Sequence, residues 1–250
     1  MKAGSPALAR LPASRYDSAP RNEGCRTMTD PVTDTTSDDV FARACRHGVM
    51  PVIAIEDAAH AIPLADALAE GGIPVAEVTF RTRAAADVMA KMTAERPDFL
   101  VGAGTVLDLD SLAAARQSGA KFGLAPGFDP AIVDEAMASG WAFAPGIMTP
   151  SELSAAVRRG VKLCKFFPAG TAGGPKALSG ISAPFAHLGM KFIPTGGVTV
   201  DNLGEWLKMD VIAAVGGTWI AKTEDIRAGR WADITRNARA AVEAVRRVRP

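Results

Sequence analysis

Two short apolar segments each carry charge that a protein interior tolerates only when it is paired or put to use. Leu163-Cys164-Lys165-Phe166-Phe167-Pro168 sets an amine among apolar neighbours. Val75-Ala76-Glu77-Val78-Thr79-Phe80-Arg81-Thr82 sets a carboxylate and a guanidinium in a strand-like alternation. Burial, and any cation nearby, disfavour the charged form of an amine, and the free amine that results can attack a carbonyl to form a Schiff base. The plainer reading of Lys165 is a side chain that snorkels to a rim or is neutralised by an acid. In the other segment, a period of two puts Glu77, Thr79 and Arg81 on one side and Ala76, Val78 and Phe80 on the opposite side. With the apolar set turned outward, the polar set points into the molecule. It is then either a structural Glu77–Arg81 ion pair or a carboxylate and a cation that act on a substrate.

Glycine supplies a third piece. Pro194-Thr195-Gly196-Gly197 and Gly216-Gly217-Thr218 both carry paired glycines. Such pairs let backbone N–H groups close on an anion, and helix N-termini add partial positive charge; the bland alternative is two tight turns. A lysine, a carboxylate and two anion loops together describe covalent amine catalysis on a phosphorylated carbonyl compound. The other amines are less well placed, since Lys121, Lys162 and Lys191 sit where strands begin. Cys164 alternates away from Lys165, which leaves it a packing role.

These residues need strands to position them, and the chain offers eight. The candidates are Met50–Ile55, Val75–Phe80, Leu100–Val101, Phe122–Leu124, Ala142–Ala144, Leu163–Phe167, Lys191–Ile193 and Ile212–Val215, with helical patterns between them. Asp129 before Pro130, with Gly140 beyond, brackets one helix; Thr149, Pro150 and Glu152, with Gly160 beyond, bracket the next. Alternating strands and helices imply parallel pairing through right-handed crossovers. Eight such units predict an α/β fold, a single (β/α)8 TIM barrel with a short N-terminal helix. An open dinucleotide-binding sheet would carry GxGxxG after its first strand, and Ile55-Glu56-Asp57 stands there instead. Gly102-Ala103-Gly104-Thr105 imitates that loop but lacks its third glycine. In a TIM barrel the active site lies at the C-terminal strand ends, and the second and sixth strands face each other across the interior, so Glu77 and Lys165 could act on one substrate.

Composition narrows the partners. Among 250 residues, 28 Lys and Arg against 27 Asp and Glu leave a formal charge of +1, not the basic excess of a nucleic-acid binder. Cys25, Cys45 and Cys164 are scattered, as are His47, His60 and His187, so neither a disulfide framework nor a metal-ligand spacing is evident. The apolar runs are too short and too interrupted by charge to predict a membrane span. Residues 1–38, rich in Pro, Ser, Thr and Asp, are expected to be a disordered tail ahead of a 39–250 barrel domain. Its arginines allow a weak transit-peptide reading; initiation at Met28 is the simpler one.

VAEVTFRT at 75–82, VGAGTV at 101–106, LAPGF at 124–128, KFFPA at 165–169, PTGGV at 194–198 and VGGTW at 215–219 resemble, in this order and spacing, the 2-keto-3-deoxy-6-phosphogluconate (KDPG) aldolase family. The resemblance runs from about Val40 to Arg246. It implies a class I aldolase on a compact (β/α)8 barrel, assembled as a homotrimer. Such an enzyme cleaves KDPG to pyruvate and glyceraldehyde 3-phosphate, closing the Entner–Doudoroff pathway, and 4-hydroxy-2-oxoglutarate is a further candidate substrate. Residue by residue, it implies Lys165 as the Schiff-base lysine and Glu77 as the carboxylate that moves protons through water. Arg81 and Thr105 would hold the pyruvyl carboxylate, and Phe167 and Thr195 would line the channel. Gly196, Gly197, Gly216, Gly217 and Thr218 would cradle the distal phosphate. Thr218 stands where a serine is common, a change that keeps the hydroxyl, and the long tail has no counterpart in compact members. VTFRT favours the gluconate over the galactonate epimer. The expected setting is cytoplasmic, with small-molecule substrates, no cofactor, no metal, and neither nucleic acid nor membrane as partner. The competing readings are a phosphate-binding isomerase or decarboxylase, with Glu77 as base and Lys165 as electrostatic stabiliser, and a non-catalytic sensor of a sugar-acid phosphate.

Overall fold

A computed structural model of the protein describes residues 36–250. The expectations placed on residues 1–35, Cys25 and an initiation at Met28 among them, lie outside the described residues. The first helix, α1 (Ser37–Cys45), starts within the segment assigned to the tail. Thr36 caps it: its hydroxyl accepts from the Asp39 N–H while the Asp39 carboxylate accepts from the Thr36 N–H.

The strands are β1 (Val49–Ile53), β2 (Val75–Thr79), β3 (Leu100–Gly104), β4 (Phe122–Leu124), β5 (Ala142–Ala144), β6 (Gly146–Ile147), β7 (Leu163–Phe166), β8 (Lys191–Pro194) and β9 (Val215–Gly217). All their pairings are parallel, in the orders β5-β4-β3-β2-β1-β9 and β6-β7-β8. Two seams join these runs into a ring. At one, Pro145 has no N–H to give a ladder, so the fifth stave breaks there: β5 pairs with β4 and β6 with β7. At the other, the bridges Phe192↔Ile212 and Thr195↔Gly216 carry β8 across to β9. With β5 and β6 as one stave, this is the eight-stave barrel the alternating pattern predicts.

Helices α2 (Ala61–Glu70), α3 (Ala85–Glu95), α4 (Leu109–Gln117), α5 (Pro130–Ala138), α6 (Pro150–Arg158), α7 (Gly174–Ser182) and α8 (Leu203–Leu207) lie in the successive crossovers. After β9 come α9 (Thr223–Arg227) and α10 (Trp231–Val248), and α10 packs on α2 to complete the outer layer. The foreseen caps form. Asp129 accepts from the Ala131 and Ile132 N–H groups, Thr149 and Glu152 make a reciprocal capping box, and Gly140 and Gly160 follow the two helix ends at positive φ.

Four expected strands shift by one or two residues at an end: Met50–Ile55 becomes Val49–Ile53, β2 ends at Thr79 rather than Phe80, β7 at Phe166 rather than Phe167, and β8 at Pro194 rather than Ile193. Two others shift further. β3 runs on to Gly104, because all five of its residues pair with Val75–Thr79. The last stave is Val215–Gly217 rather than Ile212–Val215, since β9 pairs with Val49–Pro51 and leaves Ile212 a single bridge to Phe192. Register partners share a face, so Met50, Val52, Phe122 and Leu124 fall on the inner face, with Ile53, Val78, Phe166 and Phe192 beneath the helices. α1 packs on β1, β4 and β5, and its Phe41 ring lies 5.8 Å from that of Phe122. That closes the N-terminal end of the barrel and leaves the C-terminal end for a ligand. Cys164 takes its packing role: burial pushes the thiols of Cys164 and Cys45 up to about 12, so neither is a nucleophile near neutral pH.

Candidate active site

Lys165, third of the four residues of β7, and Glu77, at the centre of β2, meet across the barrel. The Lys165 Nζ donates to Glu77 Oε1 at 2.9 Å, with the lysine 4% and the glutamate 0% exposed. The two staves stand opposite each other in the ring, as the alternation of both segments requires. Glu77 therefore pairs with Lys165 and not with Arg81. The hydrogen-bond partner of Lys165 is a carboxylate, as in the plainer reading of a lysine neutralised by an acid, and not the nearby cation of the other reading. Desolvating two ions costs several kcal/mol each, which their attraction offsets only when the remaining polar atoms are satisfied. Among the described residues, Glu77 Oε2 is buried with no hydrogen-bond partner. A hydroxyl or water on that oxygen would complete the site.

Glycine makes room for the pair. A Cβ at Gly104 would overlap Oε1 and come within 2.6 Å of Cγ and 2.7 Å of Cδ of Glu77. In a Gly104→Ala variant the carboxylate must leave Nζ. Activity is then expected to drop by about 10²-fold or more, since small misplacements of catalytic groups are that costly, and stability by about 1–3 kcal/mol. Steady-state rates and urea unfolding measure the two, and a variant as active as the native chain would contradict the placement.

Thr195 follows β8 and is 4% exposed, and its Oγ1 is a second buried atom without a hydrogen-bond partner among the described residues. It points at Gly216, where any Cβ would collide with that hydroxyl. The Phe167 ring centroid lies 5.5 Å from Lys165 Nζ, within cation–π range. The Cε2 of the same ring lies 3.3 Å from where a Gly196 Cβ would stand, so Phe167 touches both the lysine and the glycine loop. Gly196 and Gly197 take φ of +87° and +81°, a region open chiefly to glycine. Their loop is tied down on both flanks: Ala169 and Gly170 N–H donate to the Thr195 and Gly196 carbonyls, both at 2.8 Å. Asn202, which the sequence reading missed, accepts from the Thr199 N–H and donates to the Gly197 carbonyl. A threonine followed three residues later by asparagine, just after a glycine pair, is the signal that was available.

Gly216 and Gly217 are not the loop they were read as. Both are buried within β9, and the close approach of Thr195 to the first and of the Trp219 ring to the second explains their lack of a side chain. Thr218 follows them, exposed at the mouth. Thr105, directly after β3, holds φ at +57°, which for a β-branched residue costs about 1–3 kcal/mol and persists only where its surroundings enforce it. Arg81 is exposed at the same end, its Nε donating to Thr79 Oγ1 at 3.0 Å. The arrangement thus offers a nucleophile, a proton acceptor in contact with it, a guanidinium and a backbone loop at one end of one barrel. Among the described residues, no three His, Cys, Asp or Glu side chains are grouped to hold a metal ion, and no helix is long and apolar enough to cross a membrane.

Residues 41–237 match the aldolase family described as KDPG and KHG aldolase. A 2-dehydro-3-deoxy-phosphogluconate aldolase of Haemophilus influenzae is 36% identical over 211 residues, covering 84% of this chain and 99% of the relative. A KHG/KDPG aldolase of Escherichia coli is 39% identical over 198 residues, 79% of this chain and 92% of the relative. Among solved structures, the KDPG aldolase of Legionella pneumophila, with pyruvate captured as a covalent carbinolamine intermediate, superposes with a TM-score of 0.78 at 38% identity. The match covers 83% of this chain and 98% of that one. The Zymomonas mobilis KDPG aldolase with 3-phosphoglycerate gives 0.74 at 37% identity, covering 82% and 94%.

Proposed function

The chain belongs to the KDPG and KHG aldolase family and is a class I aldolase acting on KDPG, and on that premise we propose how its own residues carry the reaction. The buried Lys165–Glu77 contact is the observation that supports the assignment most directly. Moving the Nζ proton to Oε1 along that hydrogen bond leaves a neutral amine beside a carboxylic acid. The amine adds to the C2 carbonyl carbon of KDPG to give a carbinolamine, whose hydroxyl takes the Glu77 proton and leaves as water, giving an iminium and restoring the carboxylate. Glu77 then takes the C4 hydroxyl proton, and the C3–C4 electron pair moves into the iminium as an enamine. Glyceraldehyde 3-phosphate leaves, a proton returns to C3, and water releases pyruvate from Lys165.

Arg81 and Thr105 hold the carboxylate of the pyruvyl half, a planar guanidinium being suited to a planar anion. Phe167 and Thr195 line the substrate, and Gly196, Gly197 and Thr218, with Gly216 and Gly217 at the adjoining strand end, receive the distal phosphate. The capture of pyruvate in the Legionella relative and of 3-phosphoglycerate in the Zymomonas relative supports a ligand of this class. We extend the substrates to 4-hydroxy-2-oxoglutarate, supported by the Escherichia coli relative's name. The homotrimer, the 39–250 barrel domain and the cytoplasmic setting belong to the same proposal.

Incubation with pyruvate and reduction with borohydride tests the assignment. The mass of a reduced pyruvyl adduct is expected on the peptide that contains Lys165 and on no other. An isomerase, a decarboxylase or a sensor would leave the lysine unmodified, and that result would sink the Schiff-base assignment.

A further inference from the structure

We propose that Thr79 is a positioning residue, which orients the Arg81 guanidinium for the substrate carboxylate; the proposal rests on the carboxylate role given to Arg81 above. Thr79 ends β2 on the same face as Glu77 and is 2% exposed. Its hydroxyl donates to the Ile53 carbonyl at 2.7 Å and accepts from Arg81 Nε at 3.0 Å. A hydroxyl has one hydrogen. With that hydrogen committed to Ile53, Oγ1 can face Nε only as an acceptor. The relay therefore runs one way, from guanidinium to hydroxyl to β1 carbonyl, and each bond polarises the next.

Arg81 is otherwise an exposed side chain with many rotamers, and ordering it on binding would cost affinity. The buried hydroxyl takes up Nε in advance. Among the described residues neither Nη atom has a hydrogen-bond partner, so the outer edge of the fork stays open for a bidentate anion. Thr82 provides an internal comparison. Its hydroxyl donates to the Ile55 carbonyl at 2.6 Å, the same threonine-to-carbonyl bond one turn of chain away, with no hydrogen bond to Arg81.

The test reads the pyruvate concentration that half-saturates borohydride trapping at Lys165, together with KM and kcat for KDPG. Thr79→Val keeps the shape and removes the hydroxyl. It is expected to raise both half-saturation and KM by about tenfold while kcat stays within about threefold. Thr79→Ser should return to within about twofold of the native values, and Thr82→Val should stay there throughout. Arg81→Ala should raise half-saturation at least as much, and adding Thr79→Val to it should change nothing more, because the two act as one unit. Should Thr79→Val not fold, Thr79→Ala carries the same expectations.

Each other outcome has its own meaning. No trapping in the native chain overturns the Schiff-base reading itself. Trapping that Arg81→Ala leaves unshifted overturns the carboxylate role. A shift with Arg81→Ala but none with Thr79→Val overturns the positioning proposal alone, as do effects that add in the double variant, an equal shift from Thr82→Val, or a serine that fails to rescue.

Discussion

A Lys165→Met variant forms no borohydride-stable adduct with pyruvate, and its cleavage of KDPG falls by about 10⁴-fold or more. Methionine keeps most of the lysine's length and apolar stem, so the barrel interior stays filled, and what disappears is the amine. Stability moves as well, for a reason separate from the chemistry. Glu77 is 0% exposed and, among the described residues, Oε1 loses its one hydrogen-bond partner while Oε2 has none to begin with. Leaving one member of a buried ion pair alone costs about 3–5 kcal/mol. Adding Glu77→Gln to Lys165→Met removes the stranded charge, so the double variant should regain most of that stability and none of the activity. Urea unfolding of the three proteins reads the first effect, and single-turnover cleavage reads the second. Cleavage within tenfold of native in Lys165→Met, or an adduct on Lys121, Lys162 or Lys191, would be incompatible with the proposed nucleophile.

The placement of this pair on the inner face was legible from a period of two. In both segments the residues flanking the charge are apolar and belong under helices, which turns Lys165 and Glu77 inward whatever the rest of the chain does. That the two could reach one substrate across the interior was legible as well, but their direct pairing was not. Arg81 lies four residues from Glu77 and shares its parity, so sequence proximity favoured it. The contact that forms spans 88 residues and depends on barrel closure. The same distinction separates the glycines. Gly140 and Gly160 terminate helices through local backbone conformation, and they were read correctly. Gly104 and Gly216 exist because Glu77 and Thr195 occupy the space of their missing side chains, contacts between neighbouring strands that no local pattern carries. Helix caps followed the same rule as the helix-ending glycines, since Thr149 and Glu152 are three residues apart and answer each other directly. The broken fifth stave was half legible: Pro145 forbids a continuous ladder, but which neighbour each half joins is set by the ring. The roles of individual residues owe most to six ordered motifs, because alternation alone could not tell a nucleophile from a neutralised lysine.

That last ambiguity is what a Glu77→Gln variant resolves. The side-chain amide is nearly isosteric and can still accept from Nζ through its oxygen, so the hydrogen bond of 2.9 Å survives while the proton acceptor does not. If Glu77 only balances the lysine's charge, losing that charge should cost stability, by about 3–5 kcal/mol, and leave proton transfer at carbon intact. If Glu77 carries protons, kcat for cleavage should fall by about 10²–10⁴-fold. The exchange of pyruvate methyl hydrogens with deuterated water should fall alongside it, because that exchange requires the enamine to form and be reprotonated. Trapping at Lys165 should persist at saturating pyruvate but develop more slowly, since the amine no longer hands its proton to a carboxylate. Gly104→Ala provides the cross-check: it displaces the same carboxylate without altering its chemistry, so methyl exchange should slow there too. Native-rate exchange in Glu77→Gln would confine Glu77 to an electrostatic role and move the proton carrier elsewhere, with the buried Thr195 hydroxyl the next group to replace.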